Sequence, residues 1–215
     1  MLNDKEYNEL TRLKGRGLNG DLTIKEALRF YELNNRDSKV LNKKENDKND
    51  TIKKLVDDTN KIIEEAEHAQ VWTYARHEFY PTTDFVLTEI GFDKIYYDLL
   101  WEYVMPMAIH KFGLEGKGWD QLQAENFLAR YTPDTQGHLS LHHDNSHITA
   151  LVNLSEKDVD YEGGGTWFWR QKKLSRPPQG WISVHPGNIT HKHGARPVLS
   201  GKRYIIVSFM KNKDF

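Results

Sequence analysis

The sequence predicts an α+β protein: a polar, helical first third, then an antiparallel β-sandwich or jelly roll. Three observations predict it. Up to about residue 68 the chain is rich in Asn, Asp, Lys and Glu, with apolar residues at helical spacing. After Gln70 the texture changes to short β-rich segments separated by turn signals. Between these textures lies one apolar-rich stretch, 92–112, long enough for a helix. We therefore divide the chain into a helical N-terminal extension, 1–69, and a β-rich domain, 70–215.

The extension begins with a helix capped by Asn3 or Asp4 and carrying Tyr7, Leu10 and Leu13, ended by Gly15-Arg16-Gly17. Thr23-Ile24-Lys25-Glu26 fits a capping box, in which hydroxyl and carboxylate satisfy each other's orphan backbone donors. The second helix runs to about Leu33. Residues 35–51 are almost wholly polar, as in a linker or a frayed helix. From Ile52 a helical stripe resumes at Leu55, Val56, Ile62, Ile63 and Ala66, and the helical extension reads as a solvated appendage or, alternatively, a partner-docking module. Beyond it, Val71–Ala75 is expected as a strand and Phe92–Phe112 as a helix broken near Pro106. Further strands are expected at 122–131, 139–143, 148–154, 166–170, 181–184 and 204–210. Pro133-Asp134, Gly163-Gly164-Gly165, Pro177-Pro178 and Pro186-Gly187 punctuate them.

Composition narrows the function. The net charge is −1, so nothing argues for nucleic acid or an anionic membrane as partner. There are no cysteines, which removes disulfides, thiolate nucleophiles and Cys-rich zinc sites together. Any metal must be held by His, Asp or Glu. The start, MLNDKEYNEL, is polar and acidic rather than a signal sequence, and the expectation is a cytoplasmic protein.

The metal signal is His142-His143-Asp144. On a strand, residues two apart point to one side, so His142 and Asp144 can reach one ion while His143 turns away. His193 is the candidate third ligand. Two His and one carboxylate on one face of a metal leave the rest of its coordination sphere open, the facial triad of non-haem Fe(II) oxygenases. His-x-Asp alone is a weak signal. Arg203, ten residues after His193, strengthens it, because a planar guanidinium suits bidentate binding of a carboxylate. A dicarboxylate such as 2-oxoglutarate could chelate iron at one end and meet Arg203 at the other. His191 competes with His193 for the ligand role, and the spacing to Arg203 favours His193.

Several motifs occur together in one order. They are Ile90-Gly91-Phe92, Pro106-Met107, Asn126-Phe127-Leu128-Ala129-Arg130-Tyr131 with Pro133-Asp134, and Leu141-His142-His143-Asp144. Then follow Asp160-Tyr161-Glu162-Gly163-Gly164-Gly165, Gly180-Trp181, His185-Pro186-Gly187, and Thr190-His191-Lys192-His193-Gly194. The run Gly201-Lys202-Arg203-Tyr204-Ile205 to Val207-Ser208-Phe209 closes the set. Through them the stretch from about Pro81 to Met210 resembles the catalytic domain of the lysyl hydroxylases, procollagen-lysine 2-oxoglutarate 5-dioxygenases. The triglycine piece also occurs among prolyl hydroxylases.

The resemblance implies a double-stranded β-helix, which is a jelly-roll core with flanking helices. It implies Fe(II) at His142, Asp144 and His193, 2-oxoglutarate at Arg203, a pocket wall at Tyr131, a homodimer, and ascorbate as helper. The implied activity is hydroxylation of a side chain, lysine first, in a protein or peptide, using O2 and releasing succinate and CO2. The runner-up is a prolyl hydroxylase. A non-catalytic β-sandwich binding module and a zinc or manganese cupin-like hydrolase or isomerase are the readings from other classes. Two departures stand out. The family usually has Cys after the three glycines, where this chain has Thr166. Its animal members are secretory proteins with glycosyltransferase domains, so the expectation here is a microbial or viral origin, with collagen not assumed as substrate. The triglycine reads either as a tight turn or as room for a substrate backbone. Trp167 and Trp169 read as core or dimer packing or a substrate wall. Asp160 and Glu162 read as solvated turn carboxylates or partners of a substrate ammonium.

Overall fold

The computed structural model describes residues 5–6, 8–9, 11–13, 22–23, 59–114 and 122–211. The capping box at Thr23–Glu26, the second helix, the 35–51 linker and the start of the stripe at Ile52 lie wholly or mainly outside these residues. The described part of 5–13 is helical, with Leu13 fully buried. Leu22–Thr23 forms strand β1, antiparallel to Trp181–Ile182.

Helix α1, Thr59–Ala69, buries Thr59, Ile62 and Ala66 along one stripe. It is not a solvated appendage. Ile62 and Ala66 join the main core. Glu67 accepts hydrogen bonds from Arg130 at 2.7 Å, Tyr204 at 2.9 Å and Lys202 at 3.1 Å. Those three partners hold the Glu67 carboxyl below its ordinary range against the opposing effect of burial. The helix therefore packs on the β-rich region, across the boundary expected at 69/70.

No strand forms over Val71–Ala75; Thr73 alone bridges to Asp84. Strand β2 is Thr83–Val86. The expected long helix is three pieces: α2 (Asp93–Leu99), a π turn (Leu100–Val104) and α3 (Met105–Phe112). Pro106 sits in the first turn of α3, where its missing N–H is tolerated, and the π turn before it is the break expected near Pro106. Gly113, at φ 63°, closes α3.

The other strands are β3 (Gln123–Tyr131), β4 (Ile148–Asn153), β5 (Tyr161–Gly163), β6 (Thr166–Phe168), β7 (Lys173–Ser175), β8 (Trp181–Pro186), β9 (His193–Ala195), β10 (Val198–Gly201) and β11 (Arg203–Lys211). One antiparallel sheet runs β1-β8-β4-β11-β3-β2, with the nine-residue β11 paired to both β3 and β4. Its two faces divide by alternation. Leu128, Ile148, Ala150, Val152, Tyr204, Ile206 and Met210 pack with the helices. Phe127, Ala129, Tyr131, Leu151, Ile205 and Val207 form a second cluster on the opposite face. This double burial explains why β4 is buried at every position.

The second layer is a β5–β10 pair and a β7-β6-β9 sheet. The chain 161–168 runs antiparallel to 193–201, with the ladder interrupted at the triglycine. Two facing antiparallel layers with helices outside match the jelly roll expected. Among the described residues no helix is long and apolar enough to cross a membrane.

Candidate active site

The structure brings His142, Asp144 and His193 together between the layers. One ligand atom from each lies within 4.8 Å of the others, and all three residues are buried. His142 Nε2 is 3.2 Å and His193 Nε2 3.6 Å from Asp144 Oδ1. His193 is the first residue of β9, opposite Phe168 of β6. The segment 139–143, expected as a strand, is instead a loop whose single bridge joins His142 to His193. Backbone N–H···O bonds of 2.7 and 2.9 Å run both ways between them. Gly194 permits this approach, since a Cβ there would lie 2.7 Å from the Leu139 carbonyl oxygen. The loop and β9 are thus pressed into register by a residue without a side chain.

The imidazole tautomers follow from their partners. His142 Nδ1 lies 2.7 Å from the Ser140 carbonyl oxygen and His193 Nδ1 2.9 Å from that of His191. A carbonyl only accepts, so each Nδ1 carries a proton and each Nε2 is the nitrogen left to face the site. Thr149 donates to Asp144 Oδ2 at 2.7 Å, and Ser146, 2.7 Å from the Thr149 hydroxyl, completes the relay. Ser146 and Thr149 are fully buried. Burial pushes the Asp144 carboxyl up, but the His142 hydrogen bond, the nearby imidazoles and Thr149 outweigh it and hold it at about 2. Burial pulls His142 down, but the hydrogen bond and charge of Asp144 leave it above its ordinary value. His193 is lowered, first by burial. His191 stays outside the group and serves it through its carbonyl. His185 lies behind, its ring 4.8 Å from that of His193, and burial draws it down to about 3.

Arg203, the first residue of β11, lines the same cavity. It is 3% exposed, yet among the described residues only Nη2 has a partner, the Thr166 hydroxyl at 3.4 Å. Its Nε and Nη1 are buried without one. Native proteins rarely leave a buried guanidinium in this condition. The orphaned donors fit the far carboxylate of a dicarboxylate, and the His–Asp–His donor set fits a metal that keeps an open face. Tyr131, directly across the ladder from Arg203, places its ring 5.6 Å from the guanidinium carbon. Burial pushes its phenol up to about 12, so it stays a neutral donor. Thr166, the departure from the family's Cys, is thus the side chain that hydrogen-bonds Arg203 among the described residues.

The cavity has a volume of about 320 Å³, with Phe127, Leu139, Leu151, Ile205 and Val207 as apolar walls. Its mouth includes residues 76–80 and Thr82, which the sequence reading did not single out. Tyr80 lies with its ring 5.0 Å from that of His142. Thr149 and Ser146 were also missed; they sit in and beside a strand that was expected, with no local signal of their role. Trp167, Trp169, Asp160 and Glu162 do not line the cavity. Phe168 is the β6 residue that faces the His142–Asp144–His193 group, 5.5 Å from the His193 ring, so alternation turns Trp167 away. Trp169 is 60% exposed and is not core.

The comparisons with known proteins agree with this geometry. Residues 127–211 match the 2OG-Fe(II) oxygenase superfamily. The multifunctional procollagen lysine hydroxylase and glycosyltransferase LH3 of Rattus norvegicus is 40% identical over 161 residues, 70% of this chain and 22% of that protein. Procollagen-lysine,2-oxoglutarate 5-dioxygenase 1 of Homo sapiens is 36% identical over 162 residues, again 70% and 22%. This chain therefore spans about a fifth of the length of these relatives. A Pseudomonas putida prolyl-4-hydroxylase structure superposes with a TM-score of 0.54 at 15% identity, over 74% of this chain and 88% of that one, which shows a common fold. The β-rich region is accordingly similar to the 2OG-Fe(II) oxygenases as a class. Within that class its sequence likeness is to the procollagen-lysine hydroxylases, as the motifs implied.

Proposed function

We propose that this chain is an Fe(II)- and 2-oxoglutarate-dependent hydroxylase acting on a lysyl side chain of a protein or peptide. The observation that carries it is the buried Arg203, short of partners, in one cavity with the His142–Asp144–His193 group. In this reading His142, Asp144 and His193 hold the iron. Iron, 2-oxoglutarate and O2 together supply the oxidising power for C–H hydroxylation, with succinate and CO2 released. The chain's own residues bind, orient and exclude water. Arg203 clamps the far carboxylate through its free donors, with Thr166 and Tyr131 flanking it. Thr149 fixes Asp144 by occupying Oδ2, which leaves Oδ1 toward the two Nε2 atoms. The apolar walls keep the pocket dry, which strengthens every charge interaction within it. A homodimer and an ascorbate requirement belong to this proposal on the strength of the family likeness. A prolyl substrate is the second reading, favoured by the exposed aromatics Phe79 and Tyr80 at the mouth.

The test is succinate formation from 2-oxoglutarate with Fe(II), ascorbate and Lys- or Pro-bearing peptides, followed by mass spectrometry. The proposal expects one oxygen added on lysine by the parent protein and no addition by His142→Ala. Equal succinate release by both proteins would reject it, and oxygen found on proline would move the substrate to the second reading.

A further inference from the structure

The cavity contains two carboxylates, Asp144 and Glu78. Asp144 is committed to His142, His193 and Thr149. The acids just behind the mouth are committed too. Asp84, fully buried, receives Arg76 and Thr82, with His77 Nε2 at 3.4 Å, and Glu125 receives the other arm of Arg76. Glu78 makes no hydrogen bond or ion pair among the described residues and is exposed. It is the lining acid left for something from outside.

Its placement is built rather than incidental. Arg76 and Thr82 both close on the Asp84 carboxylate, and Thr73 and Asp84 exchange backbone hydrogen bonds of 3.1 Å. The segment between is therefore tied down at both ends on one buried anion. Glu78, Phe79 and Tyr80 are the part left standing at the mouth, with Phe79 82% and Tyr80 41% exposed. Tyr80, two residues from Glu78, reaches the His142 ring at 5.0 Å. An acid beside two aromatic rings at the rim of a cavity with apolar walls is a receptor for a cation on an aliphatic stem. The rings take the methylenes and the cation, and the acid takes the ammonium protons.

We propose that Glu78 is the specificity-determining residue of this site, the carboxylate that receives the ε-ammonium of the substrate lysine. The proposal rests on the hydroxylase reading for the cavity's chemistry and deepens it by assigning the residue that selects lysine. A prolyl substrate carries no such cation and has no use for Glu78.

The test uses the full chain and three peptides of one sequence bearing lysine, norleucine or proline at the target position. Fluorescence anisotropy measures their binding to protein loaded with Mn(II) and 2-oxoglutarate, where no turnover occurs, and steady-state assays with Fe(II) follow. Glu78→Gln keeps the shape and removes the charge. It is expected to weaken binding of the lysine peptide by about tenfold and to erase the preference for lysine over norleucine. The loss of turnover falls on KM rather than kcat. Glu78→Lys is expected to weaken lysine binding further by like-charge repulsion and to leave norleucine binding in place. Unchanged lysine binding by both variants, or an equal loss for lysine and norleucine, overturns the proposal. A failure of the hydroxylase reading looks different: the parent protein releases no succinate, while the Glu78-dependent preference for lysine persists in the binding measurement and supports this assignment alone.

Discussion

Replacing Arg203 by Met separates two effects of opposite sign. Without co-substrate, the guanidinium is 3% exposed with Nε and Nη1 unpartnered and one 3.4 Å contact to Thr166. A buried donor left unsatisfied costs about 1–3 kcal/mol. Met fills a similar volume against Tyr131 and Gly164 without that penalty, so the ligand-free variant gains stability of this order. For a chain of this size each kcal/mol moves Tm by about 2–4 °C. With co-substrate the sign reverses. A carboxylate meeting two guanidinium donors makes two charge-assisted hydrogen bonds, together about 3–5 kcal/mol. At about 1.4 kcal/mol per factor of ten, 2-oxoglutarate binding weakens roughly 10²–10⁴-fold. Differential scanning fluorimetry with Mn(II) reads both effects. The parent protein rises in Tm on adding 2-oxoglutarate; the variant starts higher and does not respond. A variant that binds 2-oxoglutarate as tightly as the parent refutes the assignment of Arg203. A ligand-free variant that melts several degrees lower refutes the argument that the orphaned donors are a burden.

Three further outcomes follow from the same geometry. Thr149→Val removes the hydroxyl that fixes Asp144 Oδ2 and should weaken Mn(II) or Fe(II) binding about 10–100-fold; equal affinity would show that Asp144 is oriented by its other partners. Metal affinity should fall as pH is lowered through the His142 titration, which lies above the ordinary imidazole value. A raised pKa lets protons compete at higher pH, whereas Asp144, held at about 2, stays ionised throughout; a Mn(II) affinity that is flat across roughly pH 5–8 would exclude these imidazoles as ligands. Ile62→Ala truncates a core side chain only 7% exposed on α1 and should cost about 2–4 kcal/mol in denaturant or thermal melts. No change in stability would mean that α1 does not pack on the sheet.

The His–Asp–His group and Arg203 were legible because the fold encodes them at fixed spacings around a few rigid strands. Long strands were legible for a related reason: β3, β4 and β11 carry enough apolar residues to show in a local window. The short strands β5, β9 and β10 are three or four residues each and contain glycine, so they carry no alternation. Their pairing comes from the closure of the two layers. The segment 139–143 shows the converse. It has a strand's composition, but the pull of His142 onto His193 and of the Asp144 N–H onto the Gly187 carbonyl makes it a loop. The stripe on α1 was visible, while its docking was not, because Glu67 finds Arg130, Lys202 and Tyr204 far along the chain. The mouth at 76–82 had no periodicity to read, being held by the buried carboxylate of Asp84.

The triglycine joins the two halves of the site, and its geometry chooses between the readings the sequence left open. Gly163, Gly164 and Gly165 all have positive φ, at 76°, 58° and 99°, a run that L side chains resist. The atoms that would collide with added Cβ groups belong to the protein itself: the Pro197 carbonyl oxygen at 2.6 Å, the Tyr161 ring at 2.8 Å and Arg176 Cγ at 2.7 Å. None of the three glycines lines the cavity, so they do not make room for a substrate backbone. They bend the 161–168 chain between its two pairings with 193–201, and the bend has a consequence on each side. Before it, Tyr161 packs under Gly164, whose added Cβ would also press on Arg203 Cδ at 3.3 Å. After it, Thr166 emerges with its hydroxyl toward Arg203 and Phe168 with its ring toward His193. The same irregularity thus seats the guanidinium and backs a metal-ligand candidate.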